Sequence, residues 1–455
     1  MHQTEQLCEF VERTGYDDLP QDAIETGKRM ILDTLGCALG GIESDAATTA
    51  LNTAALNYQE EDKCRIVGTS RSTRAKDAAF VFGIASHVLD YDDVHHGMGG
   101  HPSVPILSTI IPLGEEIGAT GEEILSALIL GAEAEITLAD VMNPGHYEAG
   151  WHPTSVLGTI GASLAAGKLL DLDRSELRRA VGIAASHASG IKANFGTMTK
   201  PYHVGNAARG GIEAAELASQ GYTANESVLE ADFGGFCGLF EGDHPHSFDN
   251  HLERLGSPWG ILSPPVGFKP YPCCRASHAA IDAVLHLREQ HQLAPGDIES
   301  MTVTQHPSRL DHTDRPNPQD VLDAKFSIQY LLSVALEAGD VRLGHFDGTA
   351  ITSREFRRHI DKVSIRKDAE LFDGAEYGAT VQITGGANER YTRRVDNPRG
   401  SGENPLAQDE LHAKYRECAT RVLPEPQISA SLYLVSDLEN LDDISPLIDE
   451  LTLAE

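Results

Sequence analysis

The chain has 455 residues, 41% hydrophobic and only 6% aromatic, with a formal charge of −32 from 68 acidic against 36 basic side chains. A surface that acidic repels phosphate, which argues against nucleic acid or an anionic membrane as a partner. An Ala- and Gly-rich, aromatic-poor balance suits close-packed helices better than a β-sandwich, and the length calls for two domains.

Along the chain, apolar periodicity predicts helices over Thr4–Glu12, Pro20–Leu39, Asp77–Leu89, Val104–Ile117, Gly121–Leu138, Ser155–Leu170, Arg174–Ser186 and Val204–Ser219. Pro20 opens the second of these and Gly40–Gly41 stops it. The composition changes near Gly256, where Pro258, Pro264, Pro265, Pro270 and Pro272 break helices and mark a boundary. Beyond it, Ile298–Gln305 and Ala379–Thr384 alternate apolar and polar residues as half-buried strands do, with helices over His278–His291 and Asp320–Glu337 between them. A polar stretch from Asp396 gives way to helices over Asp409–Val422 and Ile428–Leu451, expected to pack back on the first part. The fold class is therefore mainly α: residues 1–262 and 396–455 make a large helical domain, and residues 263–395 an inserted α+β domain.

The seven cysteines are scattered without a CxxC pair, which argues against a zinc ribbon, a redox motif or a disulfide framework. The first residues lack a basic stretch followed by an apolar one, and the most apolar run, Ile124–Ile136, is interrupted by Glu133 and Glu135. A cytoplasmic location is expected. Only 11 of the basic residues are Lys, and few lysines under an acid excess suit a protein that stays soluble in concentrated salt.

Four loop-like clusters carry groups able to do chemistry. Asp90–Ser103 ends in His101-Pro102-Ser103 ahead of an apolar helix, so His101 sits where a helix N-terminus attracts an anion and can serve as a base. Gly150–Ser155 repeats the arrangement with His152-Pro153. Gly196–Asn206 holds Lys200 and His203, the lysine able to clamp a carboxylate or act as an acid. Phe268–His278 holds Cys274, Arg275 and His278 at the domain boundary, where Arg275 offers a carboxylate a two-pronged fork. Against these stand plainer readings: Asp90, Asp92 and Asp93 as a solvated turn, Asp92–Asp93 with His95–His96 as a metal site without a recognised ligand spacing, and Cys273–Cys274 as buried structural cysteines. There is no GxGxxG after a strand, no GxxxxGK[ST] and no GxSxG, which disfavours nucleotide-dependent enzymes and serine hydrolases. No metal and no organic cofactor is expected.

Leu32–Gly41 (LDTLGCALGG), Leu89–Ser103 (LDYDDVHHGMGGHPS), Trp151–Ala162 (WHPTSVLGTIGA), Thr199–Ala218 (TKPYHVGNAARGGIEAAELA) and Lys269–Ala283 (KPYPCCRASHAAIDA) resemble, in order and spacing, the MmgE/PrpD family. The resemblance implies a helical domain built from both ends of the chain, an inserted α+β lid, a homodimer and a metal-free site. It also implies activities such as 2-methylcitrate dehydratase, cis-aconitate decarboxylase or iminodisuccinate epimerase. Residue by residue, Asp90, His101, His152 and Lys200 match the family's active-site positions. The chain departs from the decarboxylases at Cys274 (or Arg275), where they carry a histidine, at Val94, where they carry threonine, and in a first loop one residue longer.

The expected reaction is therefore dehydration of a small hydroxy-polycarboxylate such as 2-methylcitrate. His101 is the base, His152 the acid and Lys200 the carboxylate clamp, with the two histidines' roles interchangeable. Asp90 orients His101 or holds the site open, and Arg275, Cys274, His278 and His203 line the substrate. The alternatives are a decarboxylase or an epimerase on the same scaffold, and a carboxylate-binding protein without catalysis.

Overall fold

A computed structural model of the chain describes residues 2–54, 64–370, 377–386 and 389–454. Its contacts divide the chain into two compact units, Met1–Gly267 with Ala407–Glu455, and Phe268–Leu406. Both boundaries fall later than the sequence reading put them. The polar stretch after Val395 belongs with the second unit because Arg399 bonds there in both directions: its N–H donates to Asp282 and its carbonyl accepts from Arg275.

Among the described residues, the strands of the otherwise helical first unit are a two-residue antiparallel pair, Cys64–Arg65 with Ser72–Thr73. Its centre is built from Ala75–Val88, Ser103–Ile117, Gly121–Met142, Pro153–Leu169 and Thr199–Ser219, whose Ala and Gly positions let helices approach closely. The crossing of Ala75–Val88 with Thr199–Ser219 decides where the chemistry lies. A Cβ on Gly83 would come 2.7 Å from Gly205 backbone, and one on Gly205 would come 2.4 Å from the Phe80 carbonyl. Glycine on both sides is thus what allows the backbones to touch. One turn beyond Gly83, the first helix carries His87; before Gly205, the second carries Lys200 and His203. Glu133, which interrupts the most apolar run, is buried and accepts the backbone N–H groups of Gly256 and Gly260 at 2.8 and 2.6 Å. Among the described residues no helix is long and apolar enough to cross a membrane.

Three boundaries differ from expectation for local reasons. The predicted Val204 start lies inside a helix that begins at Thr199, because Pro201 is in the first turn, where its missing N–H has no helical partner to lose. The single predicted helix Asp320–Glu337 is two, Val321–Ala324 and Ile328–Ala338, since the Ser327 side chain accepts the Tyr330 N–H and starts a new helix. The predicted Ile428–Leu451 breaks after Ser436 and resumes at Ser445, ahead of Pro446.

In the second unit a four-stranded sheet runs in the order Val363–Lys367, Ile298–Gln305, Ala379–Gly385, Arg390–Val395. The first pair is parallel and the other two antiparallel. Met301, Val303, Val381 and Ile383 turn from this sheet into a core shared with His278–His291 and Ile328–Ala338. The outer strands carry too many charges for alternation to reveal them.

Candidate active site

The helix Ala75–Val88 ends in a turn that carries three aspartates. Asp90 has φ +52, the left-handed region that costs a non-glycine residue about 1 kcal/mol, and its N–H closes the turn onto the His87 carbonyl at 3.1 Å. All three carboxylates are buried, so the solvated-turn reading is wrong. Each has its own partner. Asp90 is ion-paired with Lys200 in the first turn of Thr199–Ser219. Asp93 takes the Ser103 hydroxyl and N–H at the start of Ser103–Ile117. Asp92 lies between two imidazoles, with Oδ2 2.8 Å from His87 Nδ1 and 3.0 Å from His101 Nδ1.

Asp92, not Asp90, is therefore the carboxylate against His101. Of the two roles expected for Asp90, orienting His101 does not match this geometry: the turn with left-handed Asp90 sends Asp90 and Asp92 to different neighbours. His87 was also missed, since nothing in the loop pattern marks a histidine next to the last residue of an apolar helix. Its ring is the hub: 4.7 Å from His101 edge-on and 5.6 Å from His152 in a stacked arrangement.

His152 caps Pro153–Leu169, and its N–H donates to the Gly190 carbonyl at 3.0 Å. Its Nδ1 lies 3.1 Å from His203 Nδ1, so one of these two nitrogens carries the shared proton. The Phe195 ring packs 4.9 Å from His152 and 5.3 Å from Lys200 Nζ. His101 is held through its N–H, which donates to Thr154 Oγ1 at 3.1 Å.

Burial dominates the electrostatics. It drives His152 well below the usual imidazole range, helped by His87 and Lys200, and pushes His203 down to about 4, again with Lys200 adding. His87 falls to about 3 by burial, against the pull of Asp92. Asp92 is buried too, yet the imidazoles of His101 and His87 hold it well below the ordinary carboxylate range. The site thus sets three histidines that burial disfavours as cations, His87, His152 and His203, beside two anchored carboxylates and one lysine.

Among the described residues, His87, Asp92 and His101 bring ligand atoms within 4.8 Å of one another, close enough to hold a metal ion. The same spacing serves a carboxylate hydrogen-bonded to the His87 ring with the His101 ring 3.0 Å away. The other metal arrangement raised by the sequence does not form. His95 Nε2 faces the carbonyls of Gly260 and Pro264, each at 3.1 Å, Asp93 is taken by Ser103, and His96 is exposed.

The first unit therefore brings together Asp90, His101, His152, Lys200 and His203. Arg275, Cys274 and His278 belong to the second unit, where they form a cluster of their own. Arg275 is buried, and Nη1 contacts His278 Nδ1 at 3.1 Å and the Arg399 carbonyl at 2.9 Å. Burial lowers its guanidinium to about 10. His278 Nε2 contacts the Cys273 carbonyl at 3.2 Å. The fork expected to grip a carboxylate is thus engaged in holding the turn at Pro398–Arg399. Cys273 is buried and Cys274 half-buried.

The MmgE/PrpD N-terminal domain matches residues 5–247, and the MmgE/PrpD C-terminal domain matches residues 271–439. The chain belongs to the MmgE/PrpD family. It is 30% identical to the cis-aconitate decarboxylase of Homo sapiens over 98% of this chain and 93% of that one. Against the cis-aconitate decarboxylase of Aspergillus terreus the identity is 26%, over 98% of this chain and 95% of that one. The 2-methylcitrate dehydratase of Escherichia coli (strain K12) is 25% identical over 78% of this chain and 75% of that one.

Proposed function

We propose that this protein is a lyase that makes and protonates a carbanion next to a carboxylate of a small polycarboxylic acid. The observation that carries the reading is Asp92 against His101 Nδ1 at 3.0 Å, beside the Lys200–Asp90 pair. A carboxylate on Nδ1 draws the ring proton to that nitrogen and leaves the Nε2 lone pair to take or return a proton at carbon, the orienting logic of a base backed by an aspartate. Lys200 is the cation toward which charge spreading onto the substrate carboxylate is stabilised in a water-poor site. A neutral His152 that accepts at Nδ1 from His203 carries its proton at Nε2 and can donate there.

Within this class, decarboxylation of a cis-aconitate-like acid is the first reading, because likeness to the decarboxylases extends over 98% of the chain. The carbon–carboxylate bond breaks, carbon dioxide leaves, the electron pair is delocalised onto the remaining carboxylate system, and His152 delivers the proton it carries at Nε2. The second reading is dehydration of a hydroxy-acid such as 2-methylcitrate, favoured by Cys274 or Arg275 standing where the resemblance puts a decarboxylase histidine. There His101 removes the carbon proton and His152 protonates the departing hydroxyl.

Proton NMR on cis-aconitate, 2-methylcitrate, citrate and iminodisuccinate, at low and molar salt, tests both. Carbon dioxide release with one new C–H supports the first; a new alkene from the hydroxy-acid supports the second. Unchanged turnover in His101→Ala would remove the assignment of the base.

A further inference from the structure

Outside the proposed site, Lys414 is a buried cation that the chemistry above does not use. It lies on Gln408–Ala419, in the C-terminal segment that joins the first unit. Its Nζ is 2.6 Å from Asp33 Oδ1 on Gln21–Gly41 and also donates to the Tyr91 carbonyl at 2.6 Å. The ammonium stands 4.0 Å over the Tyr91 ring, whose hydroxyl reaches Glu417 on the same helix at 3.4 Å. Tyr91 is the residue between Asp90, which pairs with Lys200, and Asp92, which orients His101.

We infer that Lys414 is a positioning residue: from the C-terminal segment it fixes the Tyr91–Asp92 peptide, and through it the directions of Asp90 and Asp92. The inference rests on the reading of the site above. Three features support it. The lysine uses two of its donors on Asp33 and on this one carbonyl. The turn it holds contains a left-handed aspartate, a conformation that survives only where its surroundings impose it. Burial works against the charge on Lys414, but Asp33 outweighs it and keeps the donor protonated. The consequence is a C-terminal helix on which the reaction depends through the turn it holds.

Lys414→Met alone would strand a buried Asp33 and endanger folding, so the test uses two other variants. Lys414→Met with Asp33→Leu removes both charges and the donor to Tyr91. It is expected to fold and melt within about 4 °C of the parent. Its kcat should fall about 10- to 100-fold while KM changes less than about threefold, the signature of misplaced groups. Asp33→Asn keeps the donor, and should melt lower yet keep its kcat per folded molecule. Amide hydrogen exchange over residues 89–96 supplies a readout that needs no substrate: faster exchange in the double variant, unchanged in Asp33→Asn. A folded double variant with parental kcat and exchange would overturn the inference, as would equal losses of kcat in both variants. If the parent turns over no polycarboxylate, the site reading fails and exchange alone decides the inference.

Discussion

Replacing Asp92 by asparagine is the sharpest test of how the site is wired. The substitution keeps size and shape but swaps one of two acceptor oxygens for an NH2 donor. In the native site a single oxygen, Oδ2, is hydrogen-bonded to His87 Nδ1 at 2.8 Å and lies 3.0 Å from His101 Nδ1, so its charge faces both rings. The amide presents either an acceptor without charge or a donor that forces the His101 proton to Nε2, the atom needed as base. Loss of a carboxylate that orients a catalytic imidazole costs up to about 10⁴ in rate. Because two rings share the charge here, we expect kcat/KM to fall about 10²- to 10⁴-fold, or about 3–5 kcal/mol of barrier. Stopped assays of substrate consumption over a pH series, with melting measured in parallel, separate this from unfolding. Asp90→Asn is the control: it weakens the Lys200 pair and leaves the His101 contact, so it should raise KM more than it lowers kcat. Near-parental kcat/KM in Asp92→Asn, together with a large kcat loss in Asp90→Asn, would refute the reasoning and return the orienting role to Asp90.

Three further outcomes follow from the same geometry. Gly205→Ala should destabilise the first unit by about 1–3 kcal/mol and lower its melting temperature, since the new Cβ would lie 2.4 Å from the Phe80 carbonyl; unchanged melting would mean the two helices separate without cost. Burial lowers His146 to about 4, with the Phe240 carbonyl 3.0 Å from Nδ1. At pH 5.5 the unfolded chain therefore binds a proton there that the folded chain does not, and stability drops as pH falls from about 6.5 toward 4. His146→Gln should flatten the stability–pH slope by about 1.2 kcal/mol per pH unit at that pH, and an unchanged slope in urea titrations would refute it. Dialysis against EDTA should leave turnover intact; loss restored by a divalent ion would instead make His87, Asp92 and His101 a metal centre.

Much of the site was legible because its residues sit beside prolines and at helix starts. His152-Pro153 and Lys200 before Pro201 each announce a first turn, where a polar side chain can face a ligand while the helix buries the rest. The partners of those residues were not legible. Which of Asp90, Asp92 and Asp93 meets which neighbour depends on one left-handed residue and on a glycine-to-glycine helix crossing, and neither periodicity nor spacing encodes them. His87 was invisible for a related reason: inside an apolar helix it reads as core until the fold brings Asp92 to it. Arg275 is a different case. Its fork looked ready for a carboxylate, but folding spends Nη1 on the Arg399 carbonyl. The edge strands Val363–Lys367 and Arg390–Val395 escaped because charged, exposed residues mask alternation.

The charge balance of the site leads to a last prediction. A protein at −32 that anchors two carboxylates beside its one active-site lysine repels a polyanion unless the histidines change state. His152 and His203 are kept neutral chiefly by burial, with Lys200 adding to the effect, so they are poised to gain a proton when a carboxylate arrives and offsets that penalty. Substrate binding should then take up protons at neutral pH, and Kd should rise as pH rises. Calorimetric titration with a non-reacting tricarboxylate, in buffers of different ionisation enthalpy, measures that uptake directly. We expect about one proton at pH 7, reduced in His203→Asn because the Nδ1–Nδ1 pair no longer shares it. Tight binding with no buffer dependence would mean that Lys200 alone meets the charge, with His152 serving only as a neutral donor. That outcome would leave His152 as the neutral acid proposed for dehydration, with His101 as the base.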